Sequence, residues 1–288
     1  MELTQNIMFV SLGFNLPRQS RKVTAQSDVD PQRLKASAKL YSGTAFKAIQ
    51  SADAATRADL LKKAIRVPSS FAGTYILPAA MVSDVRQLLA IRADERATLV
   101  DSFLQNDYEI ERTQARIALN GSFREDDFPP ASVLKKYFQM KSSIFTLEIP
   151  QGLPDDVREE EVAKYRENME SVFSECRSVL RNTLADLVGH LADRLKPEPD
   201  GSRKRLTRTT VDNLREFLDT VNARDITSDD AIRDISAKAR DILKTYSADQ
   251  LKNRYYGDEV QRGLERVKGE IDTLIQRDGG RKIDLDME

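Results

Sequence analysis

Residues 155–196 carry Phe173, Leu180, Leu184, Leu187, Leu191 and Leu195 at steps of three, four and seven. That spacing puts all six on one face of a single long helix. After "QGLP" (151–154) the chain reads as helices only, as far as residue 278. A second helix is expected over 209–222, with Val211, Leu214, Phe217, Leu218 and Val221 as its apolar face, and Thr209 or Thr210 as its cap. A third starts at "TSDDAI" (227–232), where Ser228 is expected to accept backbone N–H groups while Asp229 and Asp230 favour the positive helix end. It runs to about Tyr246. A last helix covers 248–277 and stops at Gly279–Gly280.

The first half has a different texture. Met8, Val10, Leu12 and Phe14 alternate and predict a strand over 7–14, with "SRKVTA" returning beside it. Asp30 and Pro31 suit a helix start, followed by Leu34, Ala38, Tyr41, Ala45 and Ile49 on one stripe. A second helix is expected over 53–66, stopping before Pro68. "FAGTYILP" (71–78) reads as a strand or extended connection. Residues 79–105 and 107–119 read as helices, the second ending at Asn120–Gly121. "DFPP" opens a short helix through Phe138, and "SSIFTLEIP" (142–150) reads as a strand. The expected fold is therefore mainly α. A mixed α+β region spans 1–150, a helical bundle of long antiparallel helices spans 151–280, and 281–288 form a flexible tail.

Bulk composition narrows the function classes. Lys and Arg number 45 against 46 Asp and Glu, so the net charge is −1, and any nucleic-acid binding must come from a local patch. One cysteine, Cys176, and one histidine, His190, exclude a disulfide framework within the chain and a zinc site of Cys/His type. No run approaches the ~20 apolar residues that span a bilayer. The expected location is the cytoplasm.

The strongest concentration of positive charge is "PEPDGSRKRLTRTT" (197–210), with Arg203, Lys204, Arg205 and Arg208. It reads first as a solvated turn between helices and second as a contact for an acidic partner or a phosphate. It lacks the interleaved aromatics that stack on bases. Tyr255 and Tyr256, beside Arg254, form a separate candidate contact surface, since tyrosine and arginine are enriched at binding hot spots. The acidic residues of 155–161 are what a helix start favours. Ser132 and Lys135 match a bare S-x-x-K, but the companion S-D-N and K-T-G are missing. "YSGTAF" and "FAGTYI" are not phosphate cradles. No catalytic constellation is read, no cofactor is implied, and a non-enzymatic role is expected.

The segments "VLRNTLADLVGHLADRL", "TTVDNLREFLDTVNARDITSDDAI" and "ARDILKTYSADQLKN", preceded by "FLQNDYEIE", "FPPASVLKKYF" and "SIFTLEIP", resemble in layout a family of uncharacterised phage and mobile-element proteins. The chain departs from that family in having no tryptophan after its "F-L-x-x-Y" segment. Members of the family tend to be encoded beside a MoxR-type AAA ATPase and a von Willebrand factor A domain protein. The resemblance implies an adaptor in a host-cell ATPase assembly and carries over no catalytic residues. The other function class consistent with the residues is a phage nucleic-acid-binding protein of recombination or replication, because residues 1–66 hold 11 Lys/Arg against 5 Asp/Glu.

Overall fold

The structure is a computed structural model and describes residues 6–23, 36–66, 73–148, 152, 154–198 and 202–277. The expected helix start at Asp30–Leu34, part of the "PEPDG" turn, the Gly279–Gly280 stop and the 281–288 tail lie outside the described residues. In chain order the elements are β1 Ile7–Asn15, β2 Ser20–Val23, β3 Ala36–Lys39, α1 Thr44–Leu61, β4 Ile65–Arg66, β5 Thr74–Pro78, α2 Val82–Ser102, α3 Tyr108–Leu119, α4 Ala131–Leu134, β6 Gln139–Phe145, α5 Asp155–Leu195, α6 Arg208–Arg224, α7 Asp230–Lys244 and α8 Arg254–Arg277. A π-helical turn, Phe103–Asp107, joins α2 to α3. The fold is mainly α, with a few strands and helices in the N-terminal half and long helices in the C-terminal half.

The chain forms two compact units. One contains 1–10, 61–82 and 145–288, and the other contains 11–60 and 83–144. The sequence suggested one boundary near 150. The chain in fact passes between units at 10/11, 60/61 and 82/83 as well as at 144/145.

In the first unit, α5 presents the expected stripe, with Leu180, Leu184, Leu191 and Leu195 buried and Phe173 and Leu187 packed at the margin of the same core. Each such leucine contributes about 1.5–3 kcal/mol on burial. α8 runs antiparallel to α5: Gly189 of α5 faces the Lys268 side chain, while the C-terminal end of α5 and the first turn of α8 are both tied to the 202–207 loop. α6 buries Val211, Leu214, Phe217, Leu218 and Val221, as its period requires. Ile7 and Phe9 of β1, Ile65 of β4 and Ile76 of β5 join Met169, Val172 and Cys176 of α5 in the same core. This corrects the strand reading. Ile7 and Phe9 point into this core, while Val10 of the expected set is itself fully buried and Met8, Leu12 and Phe14 are half-buried, so β1 buries residues of both faces. β4 and β5 pair antiparallel, Ile65 opposite Ile76, within a sheet of order β4-β5-β1-β6.

The α7 start also differs from expectation. Ser228 adopts a positive φ of 53°, and Asp229 is the cap, accepting from the Ile232 N–H. Asp225 organises the turn by accepting from the Thr227 and Asp229 N–H groups at 2.9 and 2.8 Å. Asp229 also pairs with the buried Arg181 of α5 at 2.7 Å.

The second unit is built on aromatic side chains. Tyr41, Phe46, Phe103, Tyr108, Phe128 and Phe138 form its core with Leu40, Ile49 and Val100. Tyr41 stacks on Phe46 with centroids 5.1 Å apart. β2 pairs with β3, not with β1, in the register Ser20–Lys39 to Val23–Ala36. Residues 36–39 are thus a strand where a helix was expected, and α1 begins only at Thr44 and runs on to Leu61 as one helix in place of two. The 3.6-residue match of Ala38, Tyr41 and Ala45 rested on residues that a strand followed by a turn accommodates equally well, and pairing with β2 decided between them. α3 ends as expected at Asn120, which takes a φ of 42°. A buried pair, Arg96–Asp53 at 2.5 Å, ties α2 to α1.

Candidate functional site

The helical unit gathers the two candidate surfaces at one end, where α5 finishes and α6 and α8 begin. After α5, Pro197 and Arg203 form an isolated antiparallel bridge, and the Glu198 N–H donates to the Ser202 carbonyl at 2.8 Å. The chain then runs extended to Thr207. Thr207 is the α6 cap, accepting from the Thr210 N–H, so the cap lies two to three residues before the threonines expected from sequence. Asn253 accepts from the Tyr255 N–H at the start of α8.

The four cations of the basic run divide into two roles. Arg203 is largely buried: its Nη2 donates to the Asp258 carboxylate and to the Arg254 carbonyl (3.3 Å), and its Nη1 lies over Gly257. A Cβ at Gly257 would meet that guanidinium and would also sit 2.9 Å from the Leu251 carbonyl oxygen, so glycine is what lets the arginine lie there. Lys204 donates to both carboxylate oxygens of Asp193 on α5, at 2.8 Å each. That hydrogen bond holds the Asp193 carboxyl below its usual range and raises the Lys204 amine. These two cations are therefore clamps that fold the loop onto α5 and α8.

The other two face outward. Arg205 is exposed, and no described residue pairs with it. The Arg208 side chain is 87% exposed, with Asp212 at 3.5 Å, and that of Arg254 is 80% exposed, with Asp258 at 3.9 Å. Tyr255 is 74% exposed and meets the half-buried Tyr256 edge-on at 5.5 Å. Tyr256 in turn packs at 5.0 Å on Tyr246 of the α7–α8 connection, whose hydroxyl donates to Glu259 at 3.0 Å.

The structure thus joins residues that the sequence presented as two distant stretches. Sequence reasoning missed Asp193, Asp258, Gly257 and Tyr246, which hold the surface in place. The spacing of Arg254 and Asp258 was the one legible signal, since residues four apart meet on a helix. The acid–base balance of this end is also informative. Over 193–212 and 249–259 there are eight Lys/Arg and seven Asp/Glu, a net of +1.

Cys176 is buried, and burial pushes its thiol up to about 12. His190 is exposed on α5. Lys135 pairs with Asp101, and Ser132 beside it is exposed. Glu160 and Glu161 share Lys164 at 2.7 and 3.1 Å. Among the described residues there is no cluster of three or more metal-ligating side chains, and no helix is long and apolar enough to cross a membrane. Compared with protein-family models, with curated proteins and with solved structures, the chain matches none.

Proposed function

We propose that the chain is a non-enzymatic interaction protein that docks an acidic protein surface through Arg205, Arg208, Arg254 and Tyr255. One observation carries the reading: Arg203 and Lys204 are consumed in clamping the loop, and three outward arginines are left at the same end of the helical unit as an exposed tyrosine. Arginine and tyrosine supply much of the energy of protein interfaces. In the adaptor form of this reading, the partner is a ring ATPase assembly of the kind the family resemblance implies.

Nucleic-acid binding is the second reading. The tyrosines beside the cations supply the stacking surface that the basic run itself lacks. Its support is weaker, because seven acidic residues interleave with the eight cations and counterion release scales with phosphates neutralised.

The test is affinity capture from host cells with tagged wild type, with R205E/R208E/R254E, and with the control Arg86→Glu, which belongs to the other unit. Nuclease-treated and untreated halves are compared. A stoichiometric protein partner kept by the control, lost by the triple variant and indifferent to nuclease supports docking. Partners that vanish with nuclease transfer the site to nucleic acid. Capture unaffected by the triple variant removes these residues from the function.

A further inference from the structure

We propose that the acidic surface this end of the helical unit fits is the start of α5 in a second copy of the chain, so that copies associate head to tail. The inference rests on the docking role proposed above and names its partner.

The basic end has a positive focus beyond its side chains. α6 and α8 both begin there, and neither carries an acidic residue in its first turn. The positive ends of both helices therefore add to Arg205, Arg208 and Arg254, with the nearest helix carboxylates, Asp212 and Asp258, at the fifth position of each. The opposite end of α5 has the reverse character. Residues 157–170 hold five acidic and three basic side chains, a net of −2. Glu159, Glu160, Glu167 and Glu170 are exposed, and Val157, one turn before Glu160 and Glu161, is 40% exposed. An exposed valine among carboxylates is complementary in charge to an exposed tyrosine at the same end as the outward arginines.

The two surfaces cannot meet within one molecule. They sit at opposite ends of a 41-residue helix, which holds them roughly 60 Å apart. Contact between them must join different copies, and a head-to-tail contact of this kind gives either a closed ring or an open chain.

Sedimentation velocity of the full chain over a concentration series tests this. At ~20 mM salt the mean mass should rise with concentration, and at ~0.5 M salt it should return to that of a monomer. R205A/R208A/R254A and E159Q/E160Q/E161Q should each remain monomeric, with unchanged thermal melts. An equimolar mixture should give dimers and nothing larger, because each variant keeps one competent end. A wild type that stays monomeric at low salt overturns the proposal, as does a mixture no larger than its components or an oligomer that persists in either variant. A monomeric wild type that still captures a foreign protein through the arginines leaves the docking function standing and removes only the self-association.

Discussion

The Arg203 guanidinium bonds to the Asp258 carboxylate across 55 residues of sequence, fastening the loop before α6 to the N-terminal end of α8. Both groups retain some solvent contact, so Asp258→Ala should cost about 1 kcal/mol. Gly257→Ala should cost more, about 1–3 kcal/mol, because the added methyl displaces the arginine and crowds a backbone carbonyl. Urea denaturation of both variants checks the order. Equal costs would mean that the loop repacks around the methyl.

The outward arginines should behave oppositely. Arg205, Arg208 and Arg254 carry little folding energy, so their joint reversal to glutamate should move stability by no more than about 0.5 kcal/mol per site. Thermal melts read this directly. A large loss of stability would place these side chains in the same clamping role as Arg203.

Arg181 and Asp229 form a buried pair that also caps α7. Asp229→Ala removes both the α7 cap and a buried carboxylate that Arg181 bonds to, and should cost about 3–5 kcal/mol. Burial pushes the Asp229 carboxyl up, but the hydrogen bond and charge of Arg181 and the Ile232 N–H outweigh it and leave the carboxyl below its usual value. A depressed carboxylate stabilises above its unfolded pKa of about 3.9 and loses that contribution as pH falls through the folded value. Wild type should therefore lose more stability than Asp229→Asn between about pH 5 and about pH 2. Parallel denaturation curves for the two proteins over that window would refute the assignment.

Glu111 of α3 accepts from the Ser42 N–H at 3.1 Å and lies against Gly43, at the positive end of α1, whose first turn has no acid of its own. Gly43→Ala should destabilise by about 1–3 kcal/mol through collision with that carboxylate. The double variant Gly43→Ala/Glu111→Ala should recover part of the loss relative to additivity, since the two sites touch.

Cys176 is buried with its thiol pushed up to about 12, so the native protein should resist thiol reagents at about pH 8 and react on unfolding. Rapid labelling of the native chain would show that the α5 core opens locally.

The helices after residue 154 were legible because a 3.6-residue apolar period over many turns admits few alternatives, and α5 and α6 lie within about two residues of the expected bounds. Short segments were less legible. The turn at Ser228 and the β2–β3 pairing depend on which backbone groups find partners, and those partners lie outside the local window.

By itself, the sequence determined the mainly helical class, the apolar stripe of α5, and the two places where arginine and tyrosine concentrate. Tertiary structure alone decided that β1 buries residues of both faces, that the segments 1–10 and 61–82 group with the C-terminal helices, and that Arg203 and Lys204 are clamps while Arg205, Arg208 and Arg254 face outward. The reason is physical. Periodicity is a property of neighbours along the chain, whereas burial and charge pairing are set by groups such as Asp193 and Asp258 that reach the loop only after the helices pack.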